Sequence, residues 1–323
     1  MISPKPYKGG IYLIVFKKPS ARICSEKSSV ALGVFDGLHR GHMQLIKKVT
    51  SFRGLSSVIF SINPVEGVKV KNHPHVRITS LRQNEKILAA SGVDILVLQD
   101  LDRGFSLLGP DEFFTRYILE VLNAKTLTVG FNYRFCKDAS CDTQVLAQLC
   151  IKHGVELNVV EAFKLNGLAV SSSVIKGFVA SGELDSAAEF LGRPFAIMSE
   201  VVEGRRQGRR LGFPTANMKP DSSVLLPPDG VYITRICVGG AYFDSITNIG
   251  AKPTFEDYTK SVEIHIIGFS GDIYGCVAEV EFYKKIRDTV AFESVCALKN
   301  QLEIDRAVAV EYFNKKECRL QNR

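Results

Sequence analysis

The sequence predicts an α/β unit built on a parallel sheet, followed by an antiparallel β unit, a barrel or a sandwich, with a closing C-terminal helix. Three observations carry this expectation. From about residue 30 to residue 160, short β-branched runs alternate with longer helical patterns, which is how βαβ units read. After about residue 191 the helical patterns give way to successive strand-like segments split by Gly and Pro. The chain has 323 residues and is 46% hydrophobic, enough for two cores, since domains usually run to about 100–200 residues.

Taken in order, the apolar run at 11–16 reads as a first strand. Further strands are expected at 30–35, 57–62, 94–98, 126–129 and 155–160, with helices at 81–90, 111–122 and 143–153 between them. These strands are continuously apolar rather than alternating, as expected where helices cover both faces of a sheet. In the second half, strands are expected at 195–203, 230–238, 241–249, 261–269 and 276–286. Gly239-Gly240 marks a hairpin between two of them. The last helix carries Val295, Leu298 and Leu302 on one face. The change of character places a boundary near 183–193, giving domains at 1–186 and 187–323. There is no internal repeat and no low-complexity segment.

The net charge of +7, from 41 basic and 34 acidic residues, suits anionic small molecules as well as nucleic acid and does not choose between them. Eight cysteines include no CxxC pair, and no His stands at zinc-ligand spacing from them. They read as reduced thiols of a cytoplasmic protein, most of them small core residues. The run at 11–16 is too short for a signal segment or a membrane span, so no membrane partner is expected.

Two stretches carry chemistry. The first is Gly33-Val34-Phe35-Asp36-Gly37-Leu38-His39-Arg40-Gly41-His42, which leaves a strand and opens a helix. Ligands of open α/β sheets bind at that place, and helix N-terminal N–H groups attract phosphate. His39 and His42, three apart, share one turn, and Gly41 leaves no side chain between them to obstruct a nucleotide. Two imidazoles there can stabilise charge growing on phosphorus. The plainer alternative is a helix start with two surface histidines, but the preceding GxFDG at a strand end makes this the HxGH signature of the nucleotidyltransferase superfamily.

The second stretch is Gly204-Arg205-Arg206-Gln207-Gly208-Arg209-Arg210-Leu211-Gly212-Phe213-Pro214-Thr215-Ala216-Asn217. Its glycines let backbone N–H groups approach phosphate oxygens, and its arginines supply charge. Pro214 fixes the turn. The Thr215 hydroxyl and Asn217 amide present two oxygens suited to Mg²⁺, which keeps waters and substrate phosphates as its other ligands. A basic RNA-binding loop would need aromatic stacking platforms, and Phe213 is the only aromatic in the stretch. Nucleic acid is therefore not the expected partner.

With these motifs the chain resembles the bacterial bifunctional riboflavin kinase/FAD synthetase family. Val129-Gly130-Phe131-Asn132-Tyr133-Arg134-Phe135-Cys136-Lys137 is similar to its VGxNFxFGK segment, with Cys136 where the family has Gly. Ser171-Ser172-Ser173-Val174-Ile175-Lys176 is similar to SSTxIR, with Lys176 for Arg. The GRRLGFPTAN run resembles the riboflavin kinase signature, Asn248 to Phe255 resembles NIGxRPTF, residues 261–265 resemble SVExH, and Ile286-Arg287-Asp288 resembles LRDE without its Glu.

The resemblance implies a Rossmann-like nucleotidyltransferase domain followed by a β-barrel riboflavin kinase domain. It implies that riboflavin and ATP give FMN and ADP, and that FMN and ATP then give FAD and pyrophosphate, with Mg²⁺ as cofactor. Glu263, His39 and His42 are implied as the catalytic residues. ATP phosphates are expected at Gly33, Phe35, Asp36, Gly37, Gly41, Ser171, Ser172, Ser173 and Lys176, and in the second domain at Gly204, Arg209, Arg210, Gly212 and Pro214. Flavin is expected at Asn132, Asn248 and Arg287. The residue types fit the two reactions. A riboflavin hydroxyl needs a base to become a nucleophile, whereas an FMN phosphate is already anionic and needs cations around the reacting phosphates. His265 is expected to be structural. Asn63-Pro64-Val65-Glu66 stands where the family has DPHP. That departure motivates the alternative, a riboflavin kinase whose first domain is a weakened or inactive adenylyltransferase.

Overall fold

The computed structural model describes residues 5–7, 11–63, 76–204, 212–251 and 260–321. Arg209, Arg210, residues 64–66 and residues 252–255 therefore lie outside the described residues. Among the described residues, those up to 77 and from 81 to 173 form one compact unit, and those at 78–80 and from 174 onward form another.

The first unit is built on a seven-stranded sheet. Its strands are β1 (Lys5–Tyr7), β2 (Ile11–Lys17), β3 (Ser28–Gly33), β4 (Ser56–Asn63), β5 (Ile95–Asp100), β6 (Ala124–Gly130) and β7 (Glu156–Val160), in spatial order β1-β2-β5-β4-β3-β6-β7. All neighbours are parallel except β1 on β2. From β3 the chain winds outward to β4 and β5 on one side, then to β6 and β7 on the other. The gap between β3 and β6 is thus the topological switch point, where such sheets bind ligands beyond their carboxyl ends.

Successive strand residues serve opposite faces. Val30, Leu32, Val58, Phe60, Leu127 and Val129 pack into one core. That core includes residues of α4 (Pro110–Phe113), which runs on into wider i→i+5 turns over Phe114–Val121, and of α5 (Thr143–His153). Ala31, Ile59, Leu96 and Leu98 face the opposite way, against α1 (Arg40–Thr50) and α2 (Leu81–Ala90). A short helix, α3 (Arg103–Ser106), is capped by Asp102, whose carboxylate accepts from the Phe105 N–H at 2.9 Å. A two-stranded ribbon, β8 (Lys164–Leu165) and β9 (Leu168–Ala169), follows β7.

Helices α6 (Ser172–Ser181) and α7 (Leu184–Leu191) precede the barrel. The barrel is closed and antiparallel, with strands β10 (Phe195–Val202), β11 (Ala216–Met218), β12 (Gly230–Val238), β13 (Ala241–Ala251), β14 (Lys260–Ile266) and β15 (Val277–Arg287), in the order β10-β11-β14-β13-β12-β15. This resolves the choice between barrel and sandwich. β12 and β13 meet at the expected Gly239-Gly240 turn. Strand β11 was not foreseen; three residues behind a proline are too few to show a period.

The final helix, α8 (Val295–Gln321), packs on the outside of the barrel. The face that carries Val295, Leu298 and Leu302 runs on through Asp305 and Ala309, with Leu298 and Leu302 half-buried. Val295 is 65% exposed, whereas Asp305, Ala309 and Phe313 are buried. Ala309 and Phe313 lie against Val231, Ile233, Ile246 and Tyr283. The first turns of α8 extend past that apolar patch, so the apolar period of the sequence starts before the helix reaches its packing surface.

Candidate functional sites in the sheet and the barrel

At the switch point, β3 ends at Gly33 and the loop to His39 crosses the carboxyl edge of the sheet. Phe35 and Asp36 in that loop are buried, and side chains hold it from several sides. The Phe35 N–H donates to Ser61 Oγ at 3.4 Å, Asn84 Nδ2 donates to the Phe35 carbonyl at 2.8 Å, and Ser172 Oγ donates to the Asp36 carbonyl at 3.0 Å. The loop containing Gly37 is therefore tied to β4, α2 and α6.

His39 is the N-cap of α1, and its Nδ1 accepts the His42 N–H at 3.2 Å. A side-chain acceptor at this position satisfies an N–H that the first helical turn leaves without a partner. It also fixes the tautomer: with Nδ1 accepting, the ring proton of neutral His39 sits on Nε2. The rings of His39 and His42 stack at 3.7 Å with 15° between their planes, and Phe35 lies 5.1 Å from His42. Gly41 eases this packing, since a side chain there would press on the His39 ring. A Cβ there would come within 3.2 Å of the His39 ring and 3.5 Å of the Val170 carbonyl. The structure thus brings together His39, Gly41, His42, Phe35, Asp36 and Ser172. Ser171 is half-buried beside Ser172, Ser173 is exposed, and Lys176 lies one turn further along α6.

Across the switch point, Asn132 is exposed on the turn that follows β6. That turn is anchored by the Phe131 N–H on the Val160 carbonyl at 2.9 Å and the Tyr133 N–H on the Gly130 carbonyl at 3.0 Å. Tyr133 stacks on Phe135 at 5.9 Å, and burial pushes its hydroxyl well above the usual phenol range.

A polar cluster occupies the ends of β2, β4 and β5. Asn63 Nδ2 donates to Asp100 Oδ1 at 3.0 Å, and its Oδ1 accepts from Arg77 Nη1 at 2.7 Å. Lys18 Nζ lies 2.8 Å from the other Asp100 oxygen. Burial alone would raise the Asp100 carboxyl, but the bonds from Lys18 and Asn63 outweigh it and hold the group below the usual range. The amide at 63 therefore serves as donor to one neighbour and acceptor to another, which a carboxylate could not do.

In the barrel, register sets the site. Asn217 on β11 is paired with Glu263 on β14, and Glu263 with Asn248 on β13. Directly opposed residues share a face, so the two amides flank the carboxylate. Val262, Ile264 and Ile266 point into the barrel, while Glu263 and His265 alternate to the outside, half-buried. Gly204 presses on this row: a Cβ built there would collide with the Asn217 side-chain amide. Thr215 is half-buried two residues before Asn217, and Gly212 and Pro214 are exposed at the start of the same approach. His265 braces that approach. Its Nδ1 donates to the Pro214 carbonyl at 3.0 Å and its ring lies 5.0 Å from that of Phe213. Burial first, and then Arg306, lowers its pKa from the usual 6.5, with the Pro214 bond opposing. Arg306 itself lies over the Phe213 ring at 5.8 Å.

Arg287 is tied to the closing helix. Its guanidinium donates to both oxygens of Asp305 on α8, Nε at 3.1 Å to each and Nη2 at 2.8 Å. Asp305 is 0% exposed. The sequence reading missed Asp305, and it missed Ser61 and Asn84 as supports of the histidine loop. A buried acid in a helix gives no local signal. Ser61, at the end of the strand beside β3, could have been found from the strand order alone.

Two family models match the chain: one described as FAD synthetase over residues 21–174, and one described as riboflavin kinase over residues 191–313. The chain is 31% identical over 297 residues to the bifunctional riboflavin kinase/FMN adenylyltransferase of Bacillus subtilis, covering 89% of this chain and 93% of that one. It is 32% identical over 290 residues to the protein of the same description from Escherichia coli K12, covering 88% and 92%. A crystal structure described as a macrolide-efflux protein from Streptococcus pneumoniae superimposes with a TM-score of 0.82 at 29% identity, covering 92% of this chain and 98% of that one. Among the described residues, no helix is long and apolar enough to cross a membrane.

Proposed function

This chain belongs to the bifunctional riboflavin kinase/FMN adenylyltransferase family, and from that premise we propose how its residues divide the two reactions. The enzyme phosphorylates riboflavin to FMN and adenylylates FMN to FAD, with ATP as co-substrate in both steps. In our reading residues 1–186 carry the second reaction and residues 187–323 the first, in the cytoplasm.

Glu263 is the base of the kinase step. The observation that carries this is its position between Asn217 and Asn248, on the outer face of the barrel, with Gly204 against the Asn217 amide. A carboxylate there can take the proton of a riboflavin hydroxyl as that oxygen attacks the γ-phosphorus of ATP. Thr215 and Asn217 offer hard oxygen donors, which fit Mg²⁺ held partly by substrate phosphates. When bound, the ion supplies positive charge to the transferring phosphoryl group. Asn248 binds flavin, and Gly204, Arg209, Arg210, Gly212 and Pro214 are the phosphate-binding residues of this reading. Arg287 serves the flavin site through the segment that its bond to Asp305 fixes.

For adenylyl transfer, His39 and His42 face the phosphates of ATP. The loop of Gly33, Phe35, Asp36, Gly37 and Gly41, with Ser171, Ser172, Ser173 and Lys176, binds those phosphates, while Asn132 contacts nucleotide or flavin. No base is needed, because the attacking FMN phosphate oxygen is already charged; it displaces pyrophosphate at the α-phosphorus. The test is direct. Purified protein with ATP and Mg²⁺ should convert riboflavin to FMN, and FMN supplied alone to FAD, both read by chromatography. Failure to make FAD from FMN would overturn the assignment of the histidine pair and favour the kinase-only alternative.

A further inference from the structure

Beyond Asn132, the chain makes a tight loop. Phe135 and Cys141 exchange two backbone hydrogen bonds, 3.0 Å from the Phe135 N–H and 3.2 Å from the Cys141 N–H, forming an isolated antiparallel bridge. That bridge brings Cys136, the next residue, close to Cys141, near enough that the second thiol adds to burial in raising the Cys136 pKa. Cys141 is buried at 9% exposure, whereas Cys136 is half-buried and open to a small reagent.

The backbone of this loop is unusual. Cys136 has φ 63° and ψ −175°, and Asp138 and Ala139 have φ 55° and 56°. Residues with a Cβ avoid these conformations, and Cys136 occupies one that is essentially reserved for glycine. A thiol is thus held, against the preference of its own backbone, within reach of a second thiol.

We propose that Cys136 and Cys141 are an oxidation site, at which a hydroperoxide joins the two sulfurs as an intrachain disulfide beside the Asn132 turn. The step balances. One sulfur attacks the peroxide oxygen and becomes a sulfenic acid as the O–O bond breaks, releasing one water from hydrogen peroxide. The second thiol then attacks that sulfur, the S–S bond forms, and the sulfenic oxygen leaves with a proton as a second water. Two thiols and one peroxide give one disulfide and two waters.

Burial, and then the neighbouring thiol, push the Cys136 thiol up to about 12. Its thiolate is therefore scarce at neutral pH and the first attack is slow. The same bias favours persistence of the product. The disulfide is uncharged in a site that disfavours thiolate, and a thiol of high pKa is a poor leaving group when the disulfide is reduced. The consequence for catalysis rests on the reading of Asn132 as a substrate contact, because closing residues 136–141 fixes the backbone four residues from it.

The test uses the full-length chain. Protein treated with hydrogen peroxide is alkylated, digested and mapped by mass spectrometry, and parallel samples are assayed for both reactions. The expected result is a Cys136–Cys141 link that dithiothreitol removes, with reversible loss of FMN adenylylation and unchanged riboflavin phosphorylation. Cys136→Gly, which suits the backbone, should form no link and keep FAD synthesis under peroxide. The proposal is overturned if Cys136 and Cys141 both still alkylate after other cysteines are oxidised. Equal peroxide sensitivity of FAD synthesis in Cys136→Gly and the parent would overturn the link to catalysis. The mass readout needs no activity, so it stands or falls separately from the assignment of Asn132.

Discussion

Replacing Arg287 with Ala tests whether this residue serves the flavin or the helix. In the structure its guanidinium gives three hydrogen bonds to Asp305, a carboxylate with no exposed surface. Its own side chain is 20% exposed, so the pair is screened little by solvent. After the substitution, Asp305 keeps a bond from Gln301 Nε2 at 2.9 Å. Orphaning one partner of a buried ion pair costs roughly 3–5 kcal/mol, and the surviving amide bond argues for the lower part, about 3–4 kcal/mol. For a unit of this size each kcal/mol lowers Tm by about 2–4 °C, so the barrel transition should fall by about 6–16 °C. Scanning calorimetry reads this directly. The double variant Arg287→Met, Asp305→Leu should recover most of the loss, because the penalty lies in the unpaired charge. Kinase assays below the lowered Tm should find KM for riboflavin little changed. An unchanged Tm together with a raised KM would refute the argument and return Arg287 to the flavin.

Glu263→Gln should cut FMN formation by about 10²–10⁴-fold, the usual worth of a general base, while FAD formation from supplied FMN persists; normal kinase turnover would remove Glu263 from the mechanism. His42→Ala should abolish FAD synthesis and spare the kinase, and joint loss of both would point to misfolding instead. Asn63→Asp replaces an amide donor 3.0 Å from Asp100 with a second carboxylate, so carboxyl NMR should show the Asp100 titration moving up. Restoring the residue type found in the family should not speed FAD formation, and an unmoved titration would contradict the cluster as described. His265 has a lowered pKa, so the folded barrel prefers it neutral. The stability this neutral form contributes is complete above the unfolded pKa of about 6.5 and is lost as pH falls toward the folded value; melting curves between pH 7 and pH 5 should show the decline, and His265→Gln should flatten it.

What the sequence revealed and what it hid divide along a physical line. The loop from Gly33 to His42 was legible because its geometry is local: a strand end, a helix start and two imidazoles one turn apart are all set by neighbours in the chain. The row of Asn217, Glu263 and Asn248 was half legible. Each residue sat in a recognisable run, but only the barrel register, with β11 on β14 and β14 on β13, makes them adjacent. The helix 295–321 shows the opposite case. Its apolar period pointed to Val295, yet its buried end is set by where the barrel offers Val231, Ile233 and Tyr283. Asp305 and Arg287 are eighteen residues apart and on different elements, so neither predicts the other.

Asn63 joins these two lines. As a letter in a motif it looked like a loss, an amide where relatives of this type carry a carboxylate. In the structure it touches Asp100 and Arg77 at once, through its donor and its acceptor, with Lys18 on the far oxygen of Asp100. A carboxylate at 63 would meet Asp100 as a like charge at hydrogen-bond distance, and one of the two would have to take a proton. The amide lets Asp100 stay charged while keeping a fixed acceptor for Arg77. The departure at 63 is therefore compensated within its own contacts, and the amide by itself supplies no physical ground for a silent adenylyltransferase domain.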